Sequence, residues 1–161
     1  MNILLAGGAG YIGSHTAVEL LNAGHNVVIV DDYSNSCSVV IERIEQITGK
    51  KVITYEADVK DKAAMRKVFG ENKLECVIHF AGLKAVGESV QQPVHYYRNN
   101  IDTTLTLLVG MYAGSRCEVY RIFIFGNCIW RRKQNSLRRN YEAWQLQQSL
   151  RLDKIDDGRN P

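Results

Sequence analysis

Three glycines at regular spacing are the first residues of this 161-residue chain that could serve chemistry. Gly7, Gly10 and Gly13 follow a short apolar run at residues 2–6 and precede an amphipathic segment at residues 16–23, a pattern that predicts strand, tight turn and helix. The start of a helix presents free N–H groups and the positive end of its dipole, which suit a pyrophosphate. The pattern predicts dinucleotide binding, and a plain turn is the alternative interpretation.

Carboxylates follow the next two predicted strands. Residues 25–30 are almost continuously apolar, as in a parallel strand buried on both faces, and Asp31 and Asp32 come directly after them. A carboxylate there is placed to accept hydrogen bonds from the adenosine ribose hydroxyls, and its charge would repel a 2′-phosphate, which favours NAD over NADP. Asp58 follows the third strand, near the adenine side. The alternative for these residues is a helix cap or a turn.

The elements that must position these residues are predicted from apolar spacing. We expect helices at residues 38–47, 60–69 and 93–112, and further strands at residues 51–55, 76–80 and 121–125. Strands that alternate with helices predict an α/β fold, a Rossmann-type doubly wound parallel sheet of about five strands in the order 3-2-1-4-5, with an irregular tail. The ligand site is expected at the switch between strands 1 and 4, and the fifth strand at an exposed edge.

Charge divides the chain into two parts. The net charge is +3, yet residues 1–125 hold 12 Lys and Arg against 13 Asp and Glu, and residues 126–161 hold 8 against 4. We therefore predict a dinucleotide-binding domain at residues 1–125 and an aberrant basic tail at residues 126–161, poorly ordered or weakly helical. A nucleic-acid-binding arm is the alternative for the tail, although a basic run without a fold signature is usually only solvated.

The remaining composition excludes several classes of protein. No signal peptide or membrane span is predicted, and the four cysteines show no metal-binding spacing, so we expect reduced thiols, no metal and a cytoplasmic location. His79 lies on the fourth strand and is expected to be a packed core histidine rather than a catalyst.

Longer motifs resemble a known family. Residues 7–15, 31–36 and 78–90, the last reading Ile-His-Phe-Ala-Gly-Leu-Lys-Ala-Val-Gly-Glu-Ser-Val, resemble the UDP-glucose 4-epimerases of the extended short-chain dehydrogenase/reductase family. The resemblance extends to about Leu108 and returns at residues 123–125. Ala6 stands where the family usually has Thr.

The resemblance implies NAD, a UDP-sugar substrate and a homodimer formed through helices that include residues 93–112. It places Tyr11 and Ile12 at the pyrophosphate, residues 31–36 at the adenosine ribose, and residues 80–84 on the nicotinamide side. The cofactor-binding residues that it implies are Gly7, Gly10, Tyr11, Ile12, Gly13, Asp31, Asp32, Tyr33, Ser34, Asn35, Ser36, Asp58, Val59, Phe80, Ala81, Gly82, Leu83, Lys84 and Asn99. Lys84 could alternatively be a solvated surface lysine.

The family's catalytic tyrosine and lysine have no counterpart here. In the family they stand four residues apart, in Asn-Pro-Tyr-Gly-x-x-Lys, and none of the eight tyrosines of this chain has Lys four positions on. No catalytic residue is therefore assigned, and we expect the chain to be inactive alone. Another nucleotide-sugar epimerase or dehydratase, and a non-catalytic NAD-binding module, are the alternative functions.

A change of reading frame would explain the loss. Gly-Asn-Cys-Ile-Trp, at residues 126–130, can be encoded by GGC-AAC-TGT-ATA-TGG, which one base later reads Ala-Thr-Val-Tyr-Gly, as in the family. The same offset within residues 147–161 permits Asn-Pro-Tyr-Gly-Ser-Thr-Lys. Our hypothesis is that the chain from about Gly126 is an out-of-frame translation, which the coding DNA decides. Residues 109–120 also fit the family poorly.

Overall fold

A computed structural model describes residues 1–114, 119–124 and 127–132 of the chain. The strands are β1 (Asn2–Ala6), β2 (Asn26–Asp31), β3 (Ile53–Glu56), β4 (Cys76–His79), β5 (Val119–Ile124) and β6 (Asn127–Arg132). The helices are α1 (Tyr11–Asn22), α2 (Val39–Thr48), α3 (Lys62–Glu71), α4 (Val86–Gln91) and α5 (Pro93–Gly114).

One sheet carries the fold, in the order β3-β2-β1-β4-β5-β6. The first five strands are parallel, so the predicted doubly wound order 3-2-1-4-5 is confirmed. Because β1 pairs with β2 on one side and β4 on the other, the chain reverses its direction of winding at β1, and a crevice opens beyond the carboxyl ends of β1 and β4.

Two apolar layers cover the sheet. On one face, Leu4, Val30 and Val77 pack with α3 and α5 through Phe69 and Leu107. On the other face, residues of β1 and β2 pack with Ala17 and Leu21 of α1 and Ile44 of α2. Leu4, Leu5 and Ile29 are fully buried, as continuous apolar strands between two helical layers require.

One segment of the predicted irregular tail forms a strand. Asn127–Arg132, expected to belong to an irregular tail, forms β6 and pairs antiparallel with β5 over the whole of both strands. The edge of β5 was expected to be exposed, and β6 covers it, because unpaired backbone groups at a sheet edge accept a further strand. Residues 133–161, also predicted as tail, lie outside the described residues.

The long helix α5 leaves an apolar face uncovered by the described chain. Val94, Tyr97, Ile101, Leu105 and Tyr112 recur at helical spacing, and each is at least half exposed. Within the described residues, no helix is both long and apolar enough to cross a membrane.

Candidate functional site: a cleft at the carboxyl edge of the sheet

The glycine turn after β1 packs against the chain that leaves β4. Gly7 has a positive φ of 76°, and a Cβ built on it would lie 2.6 Å from the amide nitrogen of Ala81. A Cβ on Gly13 would lie 2.5 Å from the carbonyl oxygen of Gly7. Both distances are shorter than real Cβ contacts, so these two positions require glycine for the turn to close.

Helix α1 begins at this turn without a side-chain cap. Gly10 is its N-cap residue, and the Ser14 amide donates to the Gly10 carbonyl at 2.8 Å. The amides of residues 11–13 precede that bond and have no acceptor within the helix. Tyr11 is 82% exposed and Ile12 44% exposed, so this helix end is open to an anionic group.

Asp31 joins the end of β2 to the glycine turn. Its side chain is only 7% exposed, and its Oδ2 accepts a hydrogen bond from the Ala9 amide at 2.9 Å. Its Oδ1 accepts from the Tyr33 amide at 3.0 Å and from the Ser36 hydroxyl at 2.8 Å. Since a carboxylate offers about four acceptor positions, three protein donors leave room for about one more. Asp31 thus holds the turn in shape as well as facing the cleft.

Asp32 is the exposed carboxylate of the pair. Its Oδ1 accepts from the Ser34 hydroxyl at 2.6 Å and from the Ser34 amide at 3.0 Å. Partial burial raises the pKa of Asp32, but these hydrogen bonds, together with the charge of Lys60, outweigh it and lower the pKa below its ordinary value. Asp32 therefore keeps a negative charge beside the cleft at neutral pH.

These residues surround one cleft of about 180 Å³. Fourteen of the predicted cofactor-binding residues line it, together with Ala57 and Thr103. The fourteen are Gly7, Gly10, Asp31, Asp32, Ser34, Asn35, Ser36, Asp58, Val59, Phe80, Ala81, Gly82, Leu83 and Asn99.

Five predicted residues do not line this cleft: Tyr11, Ile12, Gly13, Tyr33 and Lys84. Tyr11, Ile12 and Gly13 form the first turn of α1 beside it, and Tyr33 has a positive φ of 54° in the loop after β2. Thr103 is a lining residue that the sequence reasoning missed. It stands four residues after Asn99 on α5, so helical spacing from Asn99 would have found it.

A larger groove lies away from the glycine turn. It has a volume of about 770 Å³, runs between α3 and α5, and is lined mainly by apolar atoms of residues such as Met65, Phe69 and Leu105. No glycine of the turn and no carboxylate of β2 reaches it, so the smaller cleft is the candidate site. Among the described residues, no group of three His, Cys, Asp or Glu is placed to hold a metal.

His79 lies at the end of β4, under the cleft, and its expected place in the core is confirmed by an exposure of 3%. Its Nε2 is 3.3 Å from the hydroxyl of Thr103, which also lies within hydrogen-bond distance of the carbonyl oxygens of Asn99, at 2.8 Å, and Asn100, at 3.2 Å. The described part of the chain supplies no hydrogen-bond partner for the buried Nδ1. Burial, together with the charge of Lys84, lowers the pKa of His79 to about 4.

The buried imidazole predicts a dependence of stability on pH. In the unfolded chain His79 binds a proton below its ordinary pKa of 6.5, whereas in the folded chain it stays neutral down to about pH 4. Its contribution to the free energy of unfolding is therefore fully present above pH 6.5 and is lost as the pH falls to about 4. The contribution is about 3 kcal/mol. Urea unfolding at pH 7 and pH 4 measures it: His79→Gln should lose less stability than the wild type over this range, by about that amount. Equal losses in both proteins would contradict the prediction.

Comparisons with known proteins place these features in a family. Residues 4–124 match the family model described as GDP-mannose 4,6 dehydratase. A UDP-glucose 4-epimerase of Haemophilus influenzae is 58% identical over 111 residues, which are 69% of this chain and 33% of that protein. A UDP-glucose 4-epimerase of Bacillus subtilis is 56% identical over a stretch of the same length.

Solved structures of UDP-glucose 4-epimerases are also similar to this chain. The UDP-glucose 4-epimerase of Bifidobacterium longum in complex with NAD⁺ and UDP is similar at a TM-score of 0.68 and 56% identity, over 70% of this chain and 33% of that one. That of Stenotrophomonas maltophila, with bound NAD and formylated UDP-arabinopyranose, has a TM-score of 0.70 at 43% identity, over 76% of this chain and 36% of that one.

The chain thus spans about a third of the length of these relatives. Because the family model covers the strands and helices from β1 to β5, the chain belongs to the family described as GDP-mannose 4,6 dehydratase, and its relatives within that family include UDP-glucose 4-epimerases.

Proposed function

We propose that this chain is the NAD-binding part of a UDP-glucose 4-epimerase. The observation that carries the proposal is the cleft between β1 and β4, in which an uncapped helix end, a glycine turn and a carboxylate at the end of β2 meet. Relatives that share this part of the chain are UDP-glucose 4-epimerases, two of them solved with NAD.

Residues in and beside the cleft would each hold one part of NAD. The amides of Tyr11, Ile12 and Gly13 would bind the pyrophosphate, since the end of α1 has no side-chain cap. Residues 31–36 would hold the adenosine ribose, and Asp58 and Val59 the adenine. Residues 80–84 and Asn99 would hold the nicotinamide half.

The charge of the cleft supports NAD rather than NADP. Asp31 and Asp32 stand together at the end of β2, and the lowered pKa of Asp32 keeps it ionised, so a 2′-phosphate there would meet negative charge.

Calorimetric titration of the purified 161-residue chain tests both the binding of dinucleotide and this preference. We expect NAD to bind one per chain and NADP at least about tenfold more weakly, which corresponds to about 1.4 kcal/mol. Asp32→Asn keeps the shape of the side chain and removes its charge, so it should narrow the gap between the two dinucleotides. Equal affinity of the wild type for NAD and NADP would contradict the proposed role of the carboxylates.

The activity of the whole protein is part of the proposal. NAD held by these residues would supply reversible hydride transfer at C4 of the UDP-sugar, which inverts that carbon when the hydride returns to the other face. The described residues bind and orient the dinucleotide. The proton-transfer pair of tyrosine and lysine is absent from the sequence, so the epimerisation itself requires residues that this chain does not have.

Two other functions have specific support. The family model is described as a dehydratase of another nucleotide sugar, which supports a different nucleotide-sugar epimerase or dehydratase. The missing Tyr-x-x-x-Lys pair supports a non-catalytic NAD-binding module. The identity of 56–58% to UDP-glucose 4-epimerases favours the first proposal over both.

A second copy of this chain is the proposed protein partner. The resemblance implies a homodimer through helices that include residues 93–112. Its support here is the exposed apolar face of α5, which includes Tyr97, Ile101 and Tyr112.

A further inference from the structure

The loop between β4 and α4, residues 80–85, has no regular secondary structure, and its residues 80–83 form one wall of the cleft. At its centre, the Leu83 amide donates a hydrogen bond to Oδ1 of Asn100 at 2.8 Å. The Asn100 Nδ2 donates in return to the Leu83 carbonyl oxygen at 3.0 Å. We call this reciprocal pair of hydrogen bonds the amide clamp.

The clamp requires the chemistry of an amide. Both backbone groups of one residue are bonded, one by an acceptor and one by a donor, and the planar amide of Asn offers both groups side by side. Aspartate would retain the acceptor but present a second oxygen to the Leu83 carbonyl. Alanine would leave both backbone groups of Leu83 without this partner.

Asn100 is itself held on a rigid element. It lies in the first half of the 22-residue helix α5, directly after Asn99, which lines the cleft. Its half-buried side chain also receives a long hydrogen bond from the Asn99 Nδ2 at 3.4 Å. The clamp therefore connects the irregular wall of the cleft to a helix that packs against the sheet through Leu107.

The clamped wall stands apart from the adenosine side. Residues 80–83 line the cleft from β4, whereas Asp31, Asp32 and residues 34–36 line it from the end of β2, on the other side of β1. A change in the wall at Leu83 should thus affect a ligand that reaches across β1 and spare one that remains on the β2 side.

We propose that Asn100 is a positioning residue for the nicotinamide half of the dinucleotide, acting through the backbone of Leu83. The inference rests on the proposed binding of NAD. It predicts that the side chain of Asn100 contributes to the affinity for NAD and not to the affinity for AMP, which contains the adenosine and one phosphate but no nicotinamide half.

Calorimetry on the 161-residue chain tests this selectivity. Asn100→Ala should weaken NAD binding about tenfold and leave AMP binding within about twofold of the wild type. Asn100→Asp should be no better than alanine. Thr104→Val, on the same helix one turn further on, is the matched control and should leave both affinities unchanged. Unchanged NAD affinity in Asn100→Ala would overturn the proposal, and an equal loss for NAD and AMP would show a general structural role instead.

Amide hydrogen exchange without cofactor separates this proposal from the proposed function. The Leu83 amide should exchange at least about tenfold faster in Asn100→Ala than in the wild type, and at the wild-type rate in Thr104→Val. If the wild type does not bind NAD while Leu83 shows this change, the proposed function fails and the clamp stands as a structural contact. If Leu83 exchanges equally in all three proteins, the clamp itself is refuted.

Discussion

Replacement of Gly13 by alanine should weaken NAD binding by at least about 100-fold, or about 2.7 kcal/mol. The new Cβ would lie 2.5 Å from the Gly7 carbonyl oxygen and 2.8 Å from Gly8 Cα, and backbone cannot move aside as a flexible side chain would. The turn must therefore shift, and with it the amides of residues 11–13, which are proposed to bind the pyrophosphate. Calorimetric titration with NAD measures the loss.

The matched control for this substitution is Gly70→Ala. Gly70 also lies in a helix, α3, and a Cβ there would meet nothing within 4 Å. It should bind NAD as the wild type does and be slightly more stable, since alanine is the better helix former. If Gly13→Ala bound NAD within about threefold of the wild type, the close packing of the turn would not be required for binding.

The purified chain should not interconvert UDP-galactose and UDP-glucose. No tyrosine has a lysine four residues later, so no acid–base pair is present to move the proton of the sugar hydroxyl, and such a group contributes typically about 10²–10⁴-fold to a rate. The anomeric proton signals of the two sugars, followed by NMR with NAD present, measure the reaction. The full-length Haemophilus influenzae relative serves as the positive control, and interconversion by the 161-residue chain would refute the prediction.

The frame-change hypothesis would give this inactivity a cause. The family match ends at residue 124, close to Gly126, where the hypothesis places the change of frame. Its test remains the coding DNA. If the codons do not spell the two family motifs one base along, the basic tail needs another explanation.

The strand order was predictable because the central strands β1 and β2 are short apolar runs buried between helices. Val27 to Val30 of β2 are all buried, and a parallel sheet covered by helices on both sides protects both faces of such a run. The carboxylate at its end was recognisable for the same reason, since a charge after a buried strand must lie at the sheet edge. The sequence predicted a carboxylate, Asp31, at the end of this strand. It did not predict the hydrogen bond from the Ala9 amide to Asp31, because the two residues are 22 positions apart and local spacing carries no sign of such a contact.

Other elements escaped the prediction because they depend on tertiary contacts. Helix α1 begins at Tyr11, five residues before the expected start, because close packing around Gly13 overrides the poor helix propensity of glycine. Helix α4 has only six residues and no buried side chain, so it carries no apolar period. Strand β6 forms by pairing with an edge, which sequence alone does not reveal.

The clamp at Asn100 shows the same limit at the level of the site. Asn99 was named through the family resemblance, whereas its neighbour was not, although the neighbour makes both hydrogen bonds to Leu83. A side-chain amide that bonds the backbone 17 residues away is recognisable only once the helix and the loop have been placed.

Assigned amide chemical shifts, recorded while NAD is added to the cofactor-free chain, test the central claim most directly. The account predicts saturable shifts that are largest at the amides of Tyr11, Ile12 and Gly13, because these groups would bind the pyrophosphate. Shifts confined to other parts of the chain, or none at NAD concentrations in the millimolar range, would contradict it.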